Sequence, residues 1–298
     1  MQNIKYAFKF IGRSFQIAKE NEPLQKPWMI LSLGALGIWS VYSIFFALVL
    51  GFLGDQPFAL IMIGLLVVLA LFSLTVWGEI SASQTCQIFG SLIHESEPAE
   101  ETLTGTPFSL ACWGDVFLLT LTLPGKRLKY GIRSQFGKPA AHDFDGMGSL
   151  DLLLPVIALE NYSLAIAVDW VRQVARDNLL RLQPQFIRVG LVARIVQWLF
   201  QGIGIIIGVI VGNRLVSPLN AGRWQLILGS VVGLLIMISF ATLGISFSSF
   251  TRACYHTTLY RWVKRAEKAR QTGDAGWAKP PEILERVLDR QNTSNKER

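Results

Sequence analysis

Four long stretches of the chain carry no charged side chain. They lie between Lys26 and Asp55, Asp55 and Glu79, Arg194 and Arg214, and Arg223 and Arg252. An α-helix rises about 1.5 Å per residue, so about 20 residues cross a hydrocarbon core of about 30 Å. Helix is also the open-ended structure that satisfies its own backbone in lipid. The pattern therefore predicts four spanning helices, over about 28–53, 57–78, 190–212 and 224–251. The first and fourth runs hold 28 residues each, about 42 Å of helix, which obliges tilt or extension into an interface. Trp28, Trp77, Trp224, Tyr255, Tyr260 and Trp262 stand near the ends of these runs, as interfacial anchors should.

The centre is less regular. Pro107 to Pro124 is apolar but interrupted by Asp115, and Leu150 to Leu159 is interrupted by Asp151 and Pro155. Lys126, Arg127, Lys129, Arg133 and Lys138 stand between them. This reads as a short hairpin over about 107–160, re-entrant or interfacial, with two further short spans as the alternative.

Two amphipathic helices flank these parts. Ile4, Phe8, Ile11, Phe15 and Ala18 recur at helical spacing with Lys5, Lys9 and Arg13 on other faces, which suits a helix in the headgroup layer. Over about 163–182, Leu164, Val168, Val171, Ala175, Leu179 and Leu182 form a second stripe opposite Asp169, Arg172, Arg176 and Arg181, with Ser163 placed as N-cap. That helix has two options, lying on lipid or packing on the bundle. The fold class expected is an all-α integral membrane protein: an amphipathic arm (1–27), a helical transmembrane domain (28–270) and a polar tail (271–298). Within the tail, Pro280-Pro281-Glu282 followed by Leu284, Val287 and Leu288 offers a short helix start.

Charge supports this picture and orients it. Only 16% of the 298 residues are charged, against about 25% in a soluble domain. Lys5, Lys9, Arg13, Lys19 and Lys26 precede the first span, whereas the turn Gly54-Asp55-Gln56-Pro57 has no Lys or Arg. Arg252, Arg261, Lys264, Arg265, Lys268 and Arg270 follow the last span. The positive-inside rule then puts both termini in the cytoplasm of a bacterial inner membrane. The net charge of +7 is spread over span ends rather than gathered into a stripe with aromatics, so it reads as contact with anionic headgroups and not nucleic acid. Cys86, Cys112 and Cys254 are too scattered for a disulfide framework and read as reduced.

Motifs for catalysis are missing from the sequence: there is no GxSxG, HExxH, GxxxxGK followed by Ser or Thr, or paired CxxC. The expectation is no catalytic residue, no cofactor and no metal. His256 stands two residues from Cys254, a spacing that points to different helix faces, and His94 and His142 read as loop residues. Ionisable residues near apolar segments carry the functional expectation instead. Of Glu79, Asp115, Asp151, Glu160 and Arg194, the set Asp115, Glu160 and Arg194 is the candidate polar pocket, with Lys126, Arg172 or Arg194 as counter-charges. Gly204, Gly208 and Gly212 on the third span, with Gly229 and Gly233 on the fourth, have the small-xxx-small spacing of close helix packing. They fit contact between the two spans or between two protomers.

The segment Leu154-Pro155-Val156-Ile157-Ala158-Leu159-Glu160-Asn161, followed by Ala165, Ala167 and the helix through Arg172 to Arg176, resembles a "PVivvE" stretch and "Alk-S" helix. These belong to bacterial membrane families that include the DUF6159-like proteins and the membrane domain associated with glycerophosphodiester phosphodiesterases. The Phe15 to Pro27 entry and Tyr260 are also similar to the former, whereas Val168-Asp169-Trp170 departs from the expected Ser. The resemblance implies a helical bundle of up to six spans and assigns no reaction and no site residue. The functional expectation is a non-enzymatic structural, oligomerising or accessory membrane-complex component contacting lipid, with a homo-oligomer or a membrane-complex subunit as the partner options; a transporter or channel component is the alternative. A lipid-modifying enzyme lacks a nucleophile or metal set.

Overall fold

The computed structural model describes residues 2–53, 58–95, 113–122, 152–176, 187–216 and 223–271, and helix is the only regular secondary structure among them. In chain order these are α1 (Gln2–Glu20), a 3-10 turn (Glu22–Gln25), α2 (Lys26–Leu53) and α3 (Phe58–Glu95). They continue as α4 (Trp113–Thr122), α5 (Leu153–Glu160), α6 (Leu164–Arg176), α7 (Ile187–Val216) and α8 (Arg223–Gln271). Four of them, α2, α3, α7 and α8, are long and apolar enough to cross a membrane. The protein is an all-α, multi-pass membrane protein. Residues 96–112 and 123–151 with most of the central hairpin, residues 177–186 with the end of the second amphipathic stripe, and the tail beyond Gln271 lie outside the described residues.

Two helices run well past the ends expected from charge. α3 continues to Glu95 and α8 to Gln271, because Glu79 and Arg252 are acceptable helix residues and a lone charge ends a hydrocarbon span without ending its hydrogen-bond ladder. His94 accordingly falls in α3 and not in a loop.

The chain forms two compact units. One comprises Gln25–Ser81 and Ala193–Phe250, and so holds α2 with the first part of α3, most of α7 and the first part of α8. Its core gathers Leu31, Phe46, Leu74, Leu234, Met237 and Ile245. Met29, Leu33, Ile44, Ile61, Trp198 and Ile206 are exposed on the outside, the reverse of a soluble bundle and the arrangement lipid requires.

Polar contacts fix the directions of these helices. The Trp77 indole N–H donates to the Ile30 carbonyl at 2.9 Å, the Ser81 hydroxyl donates to Pro27 O at 2.9 Å, and Tyr42 meets Ser73 at 3.0 Å, so α2 and α3 are antiparallel. Trp28 packs edge-on against Phe250, and Trp39 donates to Val231 O at 3.4 Å, so α2 and α8 are antiparallel as well. The sequence-predicted glycines pair α7 with α8 inside the protomer. A Cβ on Gly208 would lie 2.6 Å from the Gly233 carbonyl oxygen, and one on Gly212 would lie 3.0 Å from that of Gly229. Gly204 meets Met237 and Phe240, and Gly244, not singled out from sequence, meets Gln197 and Phe200. In this unit α2 and α7 therefore run one way and α3 and α8 the other. The chain leaves the unit after Ser81 and re-enters it at Ala193 on the same side, the side that also carries the start of α2 and the Phe250 end of α8.

The other unit comprises Met1–Leu24, Ala82–Val192 and Thr251–Arg298. At its centre is α5, whose residues Leu153 to Leu159 are all buried; burying each such aliphatic side chain contributes about 1.5–3 kcal/mol. The amphipathic helices pack here, but not quite on the faces expected. In α1 the buried residues are Ala7, Phe10, Ile11, Ser14 and Ala18, while Phe8 is exposed. The face is turned because the Ser14 hydroxyl donates to Phe10 O at 3.0 Å, which satisfies it without water and lets a small polar residue enter the core. Phe10 then reaches the Tyr255 ring edge-on at 5.5 Å. Of the expected stripe, Ile11 and Ala18 are thus covered by protein, Phe15 is half-buried and Phe8 is left exposed. In α6 the buried line is Ala167, Val171 and Val174, with Val168 at its margin; of the expected stripe, Leu179 and Leu182 lie outside the described residues.

Candidate functional site

Two of the three residues expected to form a polar pocket, Asp115 and Glu160, flank one turn. α5 ends at Glu160, Asn161 takes the left-handed conformation (φ 56°, ψ 30°) as its C-cap, and α6 begins at Leu164. Asparagine tolerates that conformation better than other side chains with a Cβ, so the chain can reverse here within three residues.

Asp115, projecting from α4, accepts a hydrogen bond from the Leu164 N–H at 2.9 Å. That N–H is one of the orphan donors at a helix start, where a carboxylate also meets the positive end of the helix dipole. The cap of α6 is therefore a side chain 49 positions away in sequence, in place of the Ser163 cap expected from local spacing. A cap of this kind is worth about 0.5–2 kcal/mol, and here it also ties α4 to the α5–α6 turn.

Glu160 is held from the other side. One carboxylate oxygen, Oε1, accepts from the Tyr260 hydroxyl at 2.6 Å and from the Lys264 Nζ at 2.7 Å. Tyr260 and Lys264 are one helical turn apart on α8, which presents both to the same point. The Glu160 side chain is 11% exposed and Lys264 36%, so the pair is partly screened and its hydrogen bonds matter more than its Coulomb attraction. Trp170 of α6 lies against the Tyr260 ring at 5.4 Å. On α3, the Gln87 amide donates to Ala158 O at 3.1 Å, and Leu159 fills the space beside Gly90.

Of the expected counter-charges, Arg172 pairs with Asp169 at 2.9 Å on an exposed face of α6, Arg194 lies on α7 in the other unit, and Lys126 lies outside the described residues. The structure brings Asp115 and Glu160 to opposite ends of one turn and gives each a structural partner. Tyr260, Lys264 and Gln87 were not marked by sequence reasoning as site residues. Tyr260 stood out only as an interfacial aromatic and Lys264 only as one of the basic residues after the last span.

Further polar groups are buried on α3 and α8. Gln84 Oε1, Thr251 Oγ1 and Thr257 Oγ1 have no hydrogen-bond partner among the described residues. The carbonyl of Ala253 accepts from the Cys86 thiol at 3.8 Å, and His256 packs against Tyr255 at 5.3 Å. Among the described residues no group of three or more His, Cys, Asp or Glu side chains is placed to hold a metal ion. Comparisons with protein-family models, with curated proteins and with solved structures found no match.

Proposed function

We propose that this chain is a non-enzymatic protein of a bacterial inner membrane, with both termini cytoplasmic, that serves as a structural or accessory subunit of a membrane complex. The observation carrying this reading is the use made of Asp115 and Glu160. Both are spent on holding the α5–α6 hairpin, Asp115 by capping Leu164 and Glu160 by binding Tyr260 and Lys264. Orientation rests on the Lys and Arg residues that gather before α2 and near the end of α8. The glycines that would have served a dimer contact are occupied between α7 and α8, so association with other subunits has to use other surfaces. The resemblance of Leu154 to Asn161 to the DUF6159-like proteins agrees with this reading.

Native mass spectrometry of the protein released from nanodiscs tests the proposal. A defined oligomer or a stoichiometric second subunit is the expected result. A strict monomer with no stoichiometric partner would contradict it. A second reading, a solute pathway, is favoured by Gln84 Oε1, Thr251 Oγ1 and Thr257 Oγ1, buried polar atoms without a hydrogen-bond partner among the described residues. Solute flux into proteoliposomes above that of empty liposomes would support that reading over the first.

A further inference from the structure

The face of α1 opposite its buried stripe carries Phe8, 56% exposed, together with exposed Lys9 and Lys19. We infer that this face docks on anionic phospholipid headgroups, with the Phe8 ring entering the apolar boundary and Lys9 and Lys19 reaching phosphate. The inference rests on the lipid contacts expected of the basic helices and adds which face makes them and with which lipid.

Three observations carry it. First, only the short 3-10 turn Glu22–Gln25 separates the end of α1 at Glu20 from α2, the first candidate span, which begins at Lys26, so connectivity alone holds the end of α1 near the membrane boundary. Second, the face is charged in the sense that headgroups require. Its acidic residue, Glu20, accepts from Gln16 Nε2 at 3.0 Å, whereas Lys9 and Lys19 face solvent. Third, Phe8 and Lys19 lie on nearly the same line of the helix, the arrangement of an in-plane helix whose ring enters the interface while its lysines snorkel to phosphate. An exposed phenylalanine gains nothing from water there, and burying it in the boundary recovers its transfer energy.

Gly12 gives a place to read the docking. It lies on this same face, and a Cβ built there meets nothing within 4 Å. The test uses the full chain with Gly12→Cys and Cys112→Ser, labelled with bimane. Cys86 and Cys254 are buried, and protein retaining Gly12 measures any residual labelling. In nanodiscs of phosphatidylcholine with phosphatidylglycerol, the label should resist acrylamide quenching, and in phosphatidylcholine alone it should be quenched. Lys9→Gln with Lys19→Gln should remove the difference, at about 5-fold in the docked-to-undocked ratio per lysine, the equivalent of about 1 kcal/mol each. Lys9→Arg with Lys19→Arg should keep it. Equal quenching in both lipids, or a phosphatidylglycerol effect that survives the double glutamine variant, would overturn the inference. Neither outcome bears on the native-mass result, so the two proposals fail separately.

Discussion

Gly208→Leu is expected to be the most damaging single substitution in the membrane helices. The space a side chain would need is filled by backbone, the Gly233 carbonyl 2.6 Å from the position of a Cβ, and neither helix can yield by rotating a side chain. α7 and α8 would have to separate along the whole Gly204, Gly208, Gly212 face, losing the packing that replaces the hydrophobic effect between helices in lipid. Overpacking a well-fitted contact costs about 1–3 kcal/mol and sometimes more. Thermal unfolding in detergent, followed by loss of the monodisperse peak, should show a clear drop for Gly208→Leu. Gly202→Leu, on the same helix with open space around it, should leave stability nearly unchanged. Equal behaviour of the two variants would mean that α7 and α8 do not meet on this face.

The second large effect belongs to Glu160. Glu160→Ala removes the acceptor shared by Tyr260 and Lys264, taking one hydrogen bond from a hydroxyl and one from an ammonium in a half-buried place. Hydrogen bonds to charged groups are worth about 1.5–3 kcal/mol, and the partial exposure of Lys264 puts the expected loss toward the lower end. Glu160→Gln, which still offers an oxygen to Tyr260, should cost less. Because Tyr260→Phe removes one of the same bonds, the double variant Glu160→Ala with Tyr260→Phe should lose less than the two single losses added together. Strict additivity in thermal unfolding would show that the contact contributes nothing.

How much of this was legible beforehand differs by element, for physical reasons. The four spans stand out because an uncharged run of that length has one structural use. The glycines of α7 and α8 were legible as a packing face, but whether the partner was the neighbouring span or another copy depends on distance and not on spacing. Gly244 was missed because its partners, Gln197 and Phe200, are not small residues in a repeat. The face of α1 was misjudged because Ser14 looks polar in sequence, yet its hydroxyl is satisfied by the helix's own backbone. The partner of Glu160 could not be read at all. Lys264 lies 104 positions away, among several basic residues that all looked like topology signals.

The claim on which the rest depends is that α2, α3, α7 and α8 are the four spans and that the chain between Ser81 and Ala193 returns to the side it left. Labelling of single cysteines in intact cells by a membrane-impermeant maleimide tests it most directly, in a Cys112→Ser background. Gln56→Cys, between α2 and α3 in the chain, and Ser217→Cys, between α7 and α8, should react in intact cells. Ser163→Cys, in the exposed turn between α5 and α6, should react only after the membrane is opened. Labelling of Ser163→Cys in intact cells to the same extent as Gln56→Cys would contradict the account.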